Sequence, residues 1–275
     1  MFDNTAIIGA SASGDYEIKK SLRFNAADTA YMNFTPGSAG SQTTWTWSGW
    51  IKRSKLTSGD YVLFANNNNY NDYLFYNAST DNFAYYVSNA SGYIGEFNTN
   101  AIYRDTSAWY HVVWVRDTTN STDADRSRIY VNGVRQTMSS APSITQNHEG
   151  WINSASEHRI GNLQTSAYFE GYMTEINFID GSALDASSFG ETHSDTGAWV
   201  PKKYTGSYGS NGFYLNFSDN SNTTAATLGK DSSGNSNNWT CNNFSVTAGD
   251  GDDSVVDTPT NNYATLNPLH QNSSG

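Results

Sequence analysis

Two glutamates, Glu170 and Glu175 in "EGYMTE", stand where paired carboxylates could do chemistry. Two carboxyl groups can divide acid and base work when their surroundings push their pKa values apart. Around them, apolar residues sit at odd positions, Phe169 and Met173, then at even ones, Ile176 and Phe178. A strand flips phase in this way at a bulge near Thr174–Glu175, or where both faces are buried. His111, in "WYHVVWVRD", is the next candidate. A catalytic base needs a substrate proton or nucleophile within reach and an orienting acid. Nothing local supplies them, so a hydrogen-bonded sheet histidine is the simpler reading.

Binding chemistry has a broader base. The chain carries 18 Tyr, 13 Phe and 8 Trp. Most alternate into strands and read as core. Tyr70, Tyr73, Tyr93, Trp151, Tyr204 and Tyr208 fall in segments that read as loops, among Asn and Asp. Rings in such surroundings stack on sugars while the amides and carboxylates bind hydroxyls. They also suit docking onto a neighbouring protein. Tyr70, Tyr73 and Trp151 are the named ligand-binding candidates. Five His and one Cys are scattered without zinc spacing. "GSYGSNG" lacks the lysine and following helix of a phosphate loop. Hard oxygen donors are plentiful: Asn25 and Asp28 near the first strand, Glu175 near a late one, and "DGDD" at 250–253.

The elements that would position these groups are short strands. "TTWTWSGWIKR" puts Trp45, Trp47 and Ile51 on one face and Thr44, Thr46, Ser48 and Lys52 on the other, a half-buried strand. "YVLFA", "DYLFYN" and "NFAYYVS" follow, separated by Asn- and Gly-rich turns. "WYHVVWVRD" is apolar on both faces and so central. "RIYVNGVRQ" reads as strand, turn and strand, with Asn132-Gly133 supplying two positive-φ positions. No long amphipathic helix and no repeat is visible. The organisation expected is an arm over 1–20, a sandwich over 21–245 (core 21–190, extension 191–245) and an extended tail over 246–275.

The chain has 275 residues and a formal net charge of -11. An acidic surface repels nucleic-acid phosphates, so nucleic acid is not an expected partner. Cys241 stands alone, which excludes an intrachain disulfide and suits synthesis in a reducing cytoplasm. The first twenty residues lack a basic start and an apolar run, so neither export nor membrane insertion is expected.

"SLRFN", "WTWSGWIKR", "WYHVVWVRD", "RIYVNGV" and "FEGYMTEINFIDGSAL" together resemble the laminin G-like, concanavalin A-like family over roughly residues 21–190. The continuation from "SSFGETHSDTGAWVPKKYTGSYGSNGFYLNFSDNSN" to "LGKDSSGNSNNWT" is similar to virion proteins of marine bacteriophages, in which this sandwich begins tail fibres or other appendages. The resemblance implies an all-β, two-sheet antiparallel jelly roll, with glycan contact on a concave face or rim loops. It implies no catalytic set. Glycosidases on this fold use Glu-x-Asp-x-x-Glu with a bulge that brings both glutamates to one face. Here the middle acid is Tyr172, which argues against hydrolysis. Relatives often hold one structural calcium between first and last strands, which makes Asn25, Asp28 and Glu175 the metal candidates. No cofactor is required.

The expected function is that of a non-enzymatic phage virion protein, a tail fibre or appendage, that recognises host-surface glycan. Other virion proteins would bind the arm, and a fibre would be trimeric. A purely structural head-decoration or tail-adaptor protein is the alternative, and a polysaccharide-cleaving enzyme a distant third. The loops at 118–125 and 66–73 are the expected contact points.

Overall fold

The structure, a computed structural model, describes residues 16–262 apart from 56–58, 69–71, 90 and 250. The strands are short and follow the alternation of the sequence. The first seven are β1 (Ser21–Phe24), β2 (Tyr31–Phe34), β3 (Thr44–Arg53), β4 (Asp60–Asn66), β5 (Tyr73–Asn77), β6 (Asn82–Asn89) and β7 (Gly92–Thr99). Next come β8 (Tyr110–Asp117), β9 (Ser127–Val131), β10 (Val134–Arg135), β11 (Met138–Ser140), β12 (His158–Ile160) and β13 (Gly171–Asp180). The last are β14 (Gly190–Thr192), β15 (Trp199–Pro201), β16 (Phe213–Leu215), β17 (Thr240–Asn242) and β18 (Ser254–Val255). Among the described residues the only helices are single 3-10 turns, Asp123–Asp125 and Ala186–Ser188. Among the described residues no helix is long and apolar enough to cross a membrane.

Two large antiparallel sheets face each other, as the jelly-roll expectation requires. Sheet I runs β10-β9-β8-β3-β13-β1-β18, and β16 also pairs with β13. Sheet II runs β11-β7-β6-β5-β4-β12-β2-β17. Between them lies the main core, in which Trp45, Trp47, Trp114, Phe64, Tyr85 and Trp239 are almost wholly buried. β8 is central, as expected. It pairs with β3 and β9, sending Val112 and Trp114 into the core and Val113 and Val115 to the outer face. Asn132 and Gly133 take φ of 47° and 81° at the tight turn. Gly133 has a second reason to be glycine: a Cβ there would come within 2.5 Å of the Trp199 ring.

β3 departs from the half-buried reading. Thr46, Ser48 and Lys52, on its polar face, are all buried. The chain's own flanking segments lie across that face. Thr46 Oγ1 donates to the Ser182 carbonyl at 2.8 Å, and Lys52 Nζ donates to Asp257 at 2.8 Å. Trp50, Trp109 and Tyr172 are packed there with Ile18, and Trp199 packs partly over them. Sheet I is thus closed on its outer side by 16–20, 182–204 and 253–262. The polar residues of β3 are core residues with partners, which alternation alone does not distinguish from exposed ones.

The same packing redraws the ends of the chain. Residues 16–20 of the expected arm lie on sheet I, with Ile18 buried, and residues 1–15 lie outside the described residues. Beyond residue 245, Asp253 pairs with Arg23 at 2.9 Å and β18 extends the sheet beside β1. The described part of the tail therefore belongs to the sandwich.

Asp257 accepts from both Lys52 and Trp109 Nε1. Removing it takes the counter-ion from a buried ammonium, leaving only Asn262 Oδ1 at 3.0 Å, and breaking a buried pair in this way typically costs about 3–5 kcal/mol. Asp257→Ala is expected to lower the unfolding free energy by that amount, measured by urea denaturation. A loss below about 1 kcal/mol would show that the segment does not seal the face.

Candidate functional site

The outer side of sheet II is covered only in part: Leu163 and Ala167 pack over Val62, Ala65, Phe75 and Ala84, while Tyr86 and Tyr93 of β6 and β7 stay accessible. Register places Glu96, Tyr86, Tyr73, Ala65, Arg159 and Asn33 in one transverse row across β7, β6, β5, β4, β12 and β2. Directly opposed residues share a face, so this row is one surface. Tyr85 and Tyr86 are neighbours in a strand, so they point to opposite sides. Tyr85 enters the core and Tyr86 turns outward. Its ring stacks on Tyr73 at 4.7 Å and 11°, and packs against Tyr93 at 4.6 Å. Tyr93 is 58% exposed and Tyr86 half-buried. Burial and the nearby charge of Glu96 raise the phenol pKa values of Tyr86 and Tyr93, so both stay neutral hydrogen-bonding groups. At the other end of the row Arg159 donates to Glu157 at 2.7 Å and lies over the Tyr31 ring at 4.7 Å. The surface combines aromatic faces with carboxylate, amide and guanidinium edges.

The three ligand-binding candidates fare differently. Tyr70 lies outside the described residues. Tyr73 is not in a loop: it opens β5 and is buried, forming the base of the stack under Tyr86. Trp151 is in a loop and half-buried. Its backbone N–H donates to Asp72 at 2.7 Å, which ties that loop to the residue beside Tyr73. Tyr86 was hidden by the rule that strand aromatics are core. The signal that could have found it is the doubled tyrosine of "AYY", one of which must face outward.

The metal candidates are not brought together. Phe24 pairs with Gly171 and Leu22 with Met173, so Asn25 lies past one end of β1 and Glu175 past the other. At roughly 3.3 Å per residue the separation is about 15 Å. Asn25 Nδ2 donates to Asp28 at 2.6 Å, and Arg23 occupies Asp253. Among the described residues no three His, Cys, Asp or Glu side chains are gathered to hold a metal ion. These residues do not fit a calcium site between the first and last strands. Asp250 of the acidic run lies outside the described residues.

Glu175 sits in the expected bulge, and Glu170 lies before β13. Register between β13 and β3 shifts between Thr174 and Asn177, and Glu175 has φ 53°. Glu170 lies against Lys55 at 3.2 Å. Glu175 is buried and accepts from Tyr16 at 2.5 Å and from Tyr214 at 2.8 and 2.7 Å. Burial, chiefly, pushes its pKa up to about 7. Tyr172, between the two glutamates in sequence, packs with Trp50 and Trp109.

His111 is part of the scaffold. Its Nδ1 accepts from Trp199 Nε1 at 3.0 Å, which leaves the proton on Nε2 to reach Ser48 Oγ at 2.9 Å. Trp50 stacks on the ring at 4.9 Å. Burial drives its pKa down to about 3.

A two-sheet sandwich with an aromatic outer face defines a lectin-type jelly roll. A family model described as the concanavalin A-like lectin/glucanases superfamily matches residues 26–188, and the chain belongs to that family. No curated protein matches it in sequence. Among solved structures it is similar to the heptameric SAP-like pentraxin of Limulus polyphemus, with 15% identity, TM-score 0.44, 62% of this chain and 79% of that one. It is also similar to domains LG4-5 of the mouse laminin alpha1 chain, with 14% identity, TM-score 0.43, 68% of this chain and 48% of that one. A third is the CBM40 of Ruminococcus gnavus IT-sialidase, with 11% identity, TM-score 0.42, 62% of this chain and 94% of that one.

A buried neutral histidine must charge on unfolding in acid, so it binds fewer protons folded than unfolded. Stability from His111 is therefore full above its ordinary value near pH 6.5 and is lost as pH falls toward about 3. Imidazole 15N shifts are expected to keep His111 neutral, with its proton on Nε2, at pH 5. A charged ring at that pH would contradict the buried packing with Ser48 and Trp199.

Proposed function

We propose that this protein is a non-enzymatic carbohydrate-binding module whose ligand lies on the outer face of sheet II. The observation that carries the reading is the Tyr93–Tyr86–Tyr73 stack, which runs from exposed Tyr93 down to the buried apolar patch of Val62, Ala65, Phe75 and Ala84 on the same face. A sugar ring presents C–H groups on one side and hydroxyls at its edge. The exposed tyrosine faces suit the first, and Glu96, Asn98 and Arg159 offer partners for the second. Sheet II bears this surface on strands, which hold their side chains more rigidly than loops do. The family membership supports a carbohydrate ligand, since its description names both lectins and glucanases.

The finer proposal is that the module is displayed on a phage particle, on a tail fibre or appendage, and contacts host-surface polysaccharide. The support is the sequence resemblance of the continuation beyond residue 187 to virion proteins. In this reading the N-terminal arm expected over 1–20, of which 16–20 lie on sheet I, carries the attachment to other virion proteins, and the protein is made in the host cytoplasm. The non-enzymatic part rests on the surroundings of the two glutamates. Glu175 has both oxygens engaged by tyrosines, and Tyr172 occupies the position of the middle acid.

Glycan-array screening followed by titration tests the binding. Tyr86→Ala is expected to weaken affinity for the best glycan at least ~10-fold, about 1.4 kcal/mol. Tyr93→Ala should weaken it in the same direction while leaving the unfolding temperature unchanged, because Tyr93 is exposed. Unchanged affinity in both variants would remove sheet II as the site. Immunolabelling of intact particles tests the display: virions without label, with label only on cell surfaces, would defeat it.

A further inference from the structure

The three tyrosines of sheet II form a ladder with one open end. Tyr73, Tyr86 and Tyr93 come from the adjacent strands β5, β6 and β7, so Tyr73 and Tyr93 approach the Tyr86 ring from opposite sides. The centroids are 4.7 and 4.6 Å apart, which occupies both faces of Tyr86. Tyr73 is buried and packs on Phe75 at 5.0 Å. The free ring face is therefore the outer one of Tyr93, the exposed rung.

Carboxylates stand on both sides of this ladder. Glu96 is directly opposite Tyr86 in the β6–β7 pair. Asp60 lies on β4, two residues before Val62 and so on the same face. Their charges meet across the rings. Burial first, then Asp60 and Glu96, raises the Tyr73 phenol, and burial followed by Glu96 raises the Asp60 carboxyl. Elsewhere the chain pairs its acids: Asp253 with Arg23, Asp257 with Lys52, Glu157 with Arg159 and Glu170 with Lys55. All 15 Lys and Arg lie within the described residues, and none of them pairs with Glu96 or Asp60. Glu96 Oε2 accepts from Asn98 Nδ2 at 3.5 Å, the long limit of a hydrogen bond. The cation that would relieve these two acids is not supplied by any Lys or Arg of the chain.

A neutral sugar satisfies the ring face and leaves the two acids repelling each other. A sugar that carries an ammonium satisfies both, because a cation is drawn to the negative face of an aromatic ring and to a carboxylate. Resting on the carbohydrate reading above, we propose that the ligand of this face is an oligosaccharide of amino sugars with free ammonium groups, whose ring lies on Tyr93 and whose cations are held by Glu96 and Asp60. Tyr86 supports the Tyr93 ring from behind. The net charge of -11 draws such a polycation to the surface. Acetylation of the amine removes the charge, so the N-acetylated sugar is the poorer ligand.

β-1,4-Linked hexamers of glucosamine, N-acetylglucosamine and glucose share a backbone and differ at one substituent per ring. Each is titrated calorimetrically into the full chain at pH 6 and low ionic strength, where the amine is charged. The glucosamine hexamer is expected to bind about tenfold more tightly than either neutral one, from a cation–π contact and exposed ion pairs together. Glu96→Gln is expected to remove most of that preference, and the double variant with Asp60→Asn to remove the rest. Glu191→Gln, at an exposed acid of β14, changes the net charge equally and is expected to leave the preference intact. Equal affinity for the three hexamers would overturn the proposal. So would a preference that survives in the double variant, or one that falls as far in Glu191→Gln, since overall charge would then account for it. Failure of the underlying reading looks different, because Tyr86→Ala and Tyr93→Ala would then leave all glycan binding unchanged. A neutral glycan bound through Tyr86 and Tyr93, with the glucosamine hexamer unbound, overturns this proposal and leaves that reading standing.

Discussion

The structure depends on burial of the outer face of sheet I by segments that come from outside the sandwich strands. β3 presents Thr46, Ser48, Trp50 and Lys52 to that face, a mixed surface that solvent alone would tolerate poorly. Each polar group there meets a specific partner instead: the Ser182 carbonyl, His111 and Asp257. Burying an ammonium or a hydroxyl without such a partner costs more than the apolar contacts around it return. The flanking segments are therefore structural parts of the domain, and sheet I is a middle layer.

That closure determines where recognition can happen. With sheet I sealed, the side of the sandwich that keeps exposed rings on rigid strands is the outer face of sheet II. The row from Glu96 through Tyr86 and Tyr73 to Arg159 exists because antiparallel register lines up residues distant in sequence. His111 belongs to the same closure. Its ring is used up by Trp199, Ser48 and Trp50, which bind the cover to the sheet. Glu175, buried beside a cleft, owes its position to a bulge between two short edge partners.

Much of this was legible in the sequence. Period-two alternation found β3, β8 and β13, the phase flip found the bulge at Glu175, and Asn132-Gly133 found the tight turn. These are local signals, in which the cause lies within a few residues of the effect. What stayed hidden is non-local. Nothing in "TTWTWSGWIKR" says that Asp257 will cover Lys52. Nothing near Glu175 announces Tyr16 or Tyr214. Tyr73 was placed in a loop because "NNNNYND" precedes it, yet its ring packs on Tyr86 from the next strand. The metal grouping failed for the same reason, since Asn25 and Glu175 are separated by the length of β1. Family resemblance supplied the fold, and geometry supplied the face.

The central claim is that sheet I is sealed, while the β6–β7 side of sheet II keeps Tyr86 and Tyr93 accessible. Hydroxyl-radical footprinting of the free protein measures this directly, because aromatic side chains oxidise in proportion to their solvent contact. The account predicts rapid modification of Tyr93 and Tyr86, with Trp50, Trp109 and Tyr172 protected until the chain unfolds. Rapid oxidation of Trp50 and Trp109 in the folded protein, with Tyr86 protected, would contradict it.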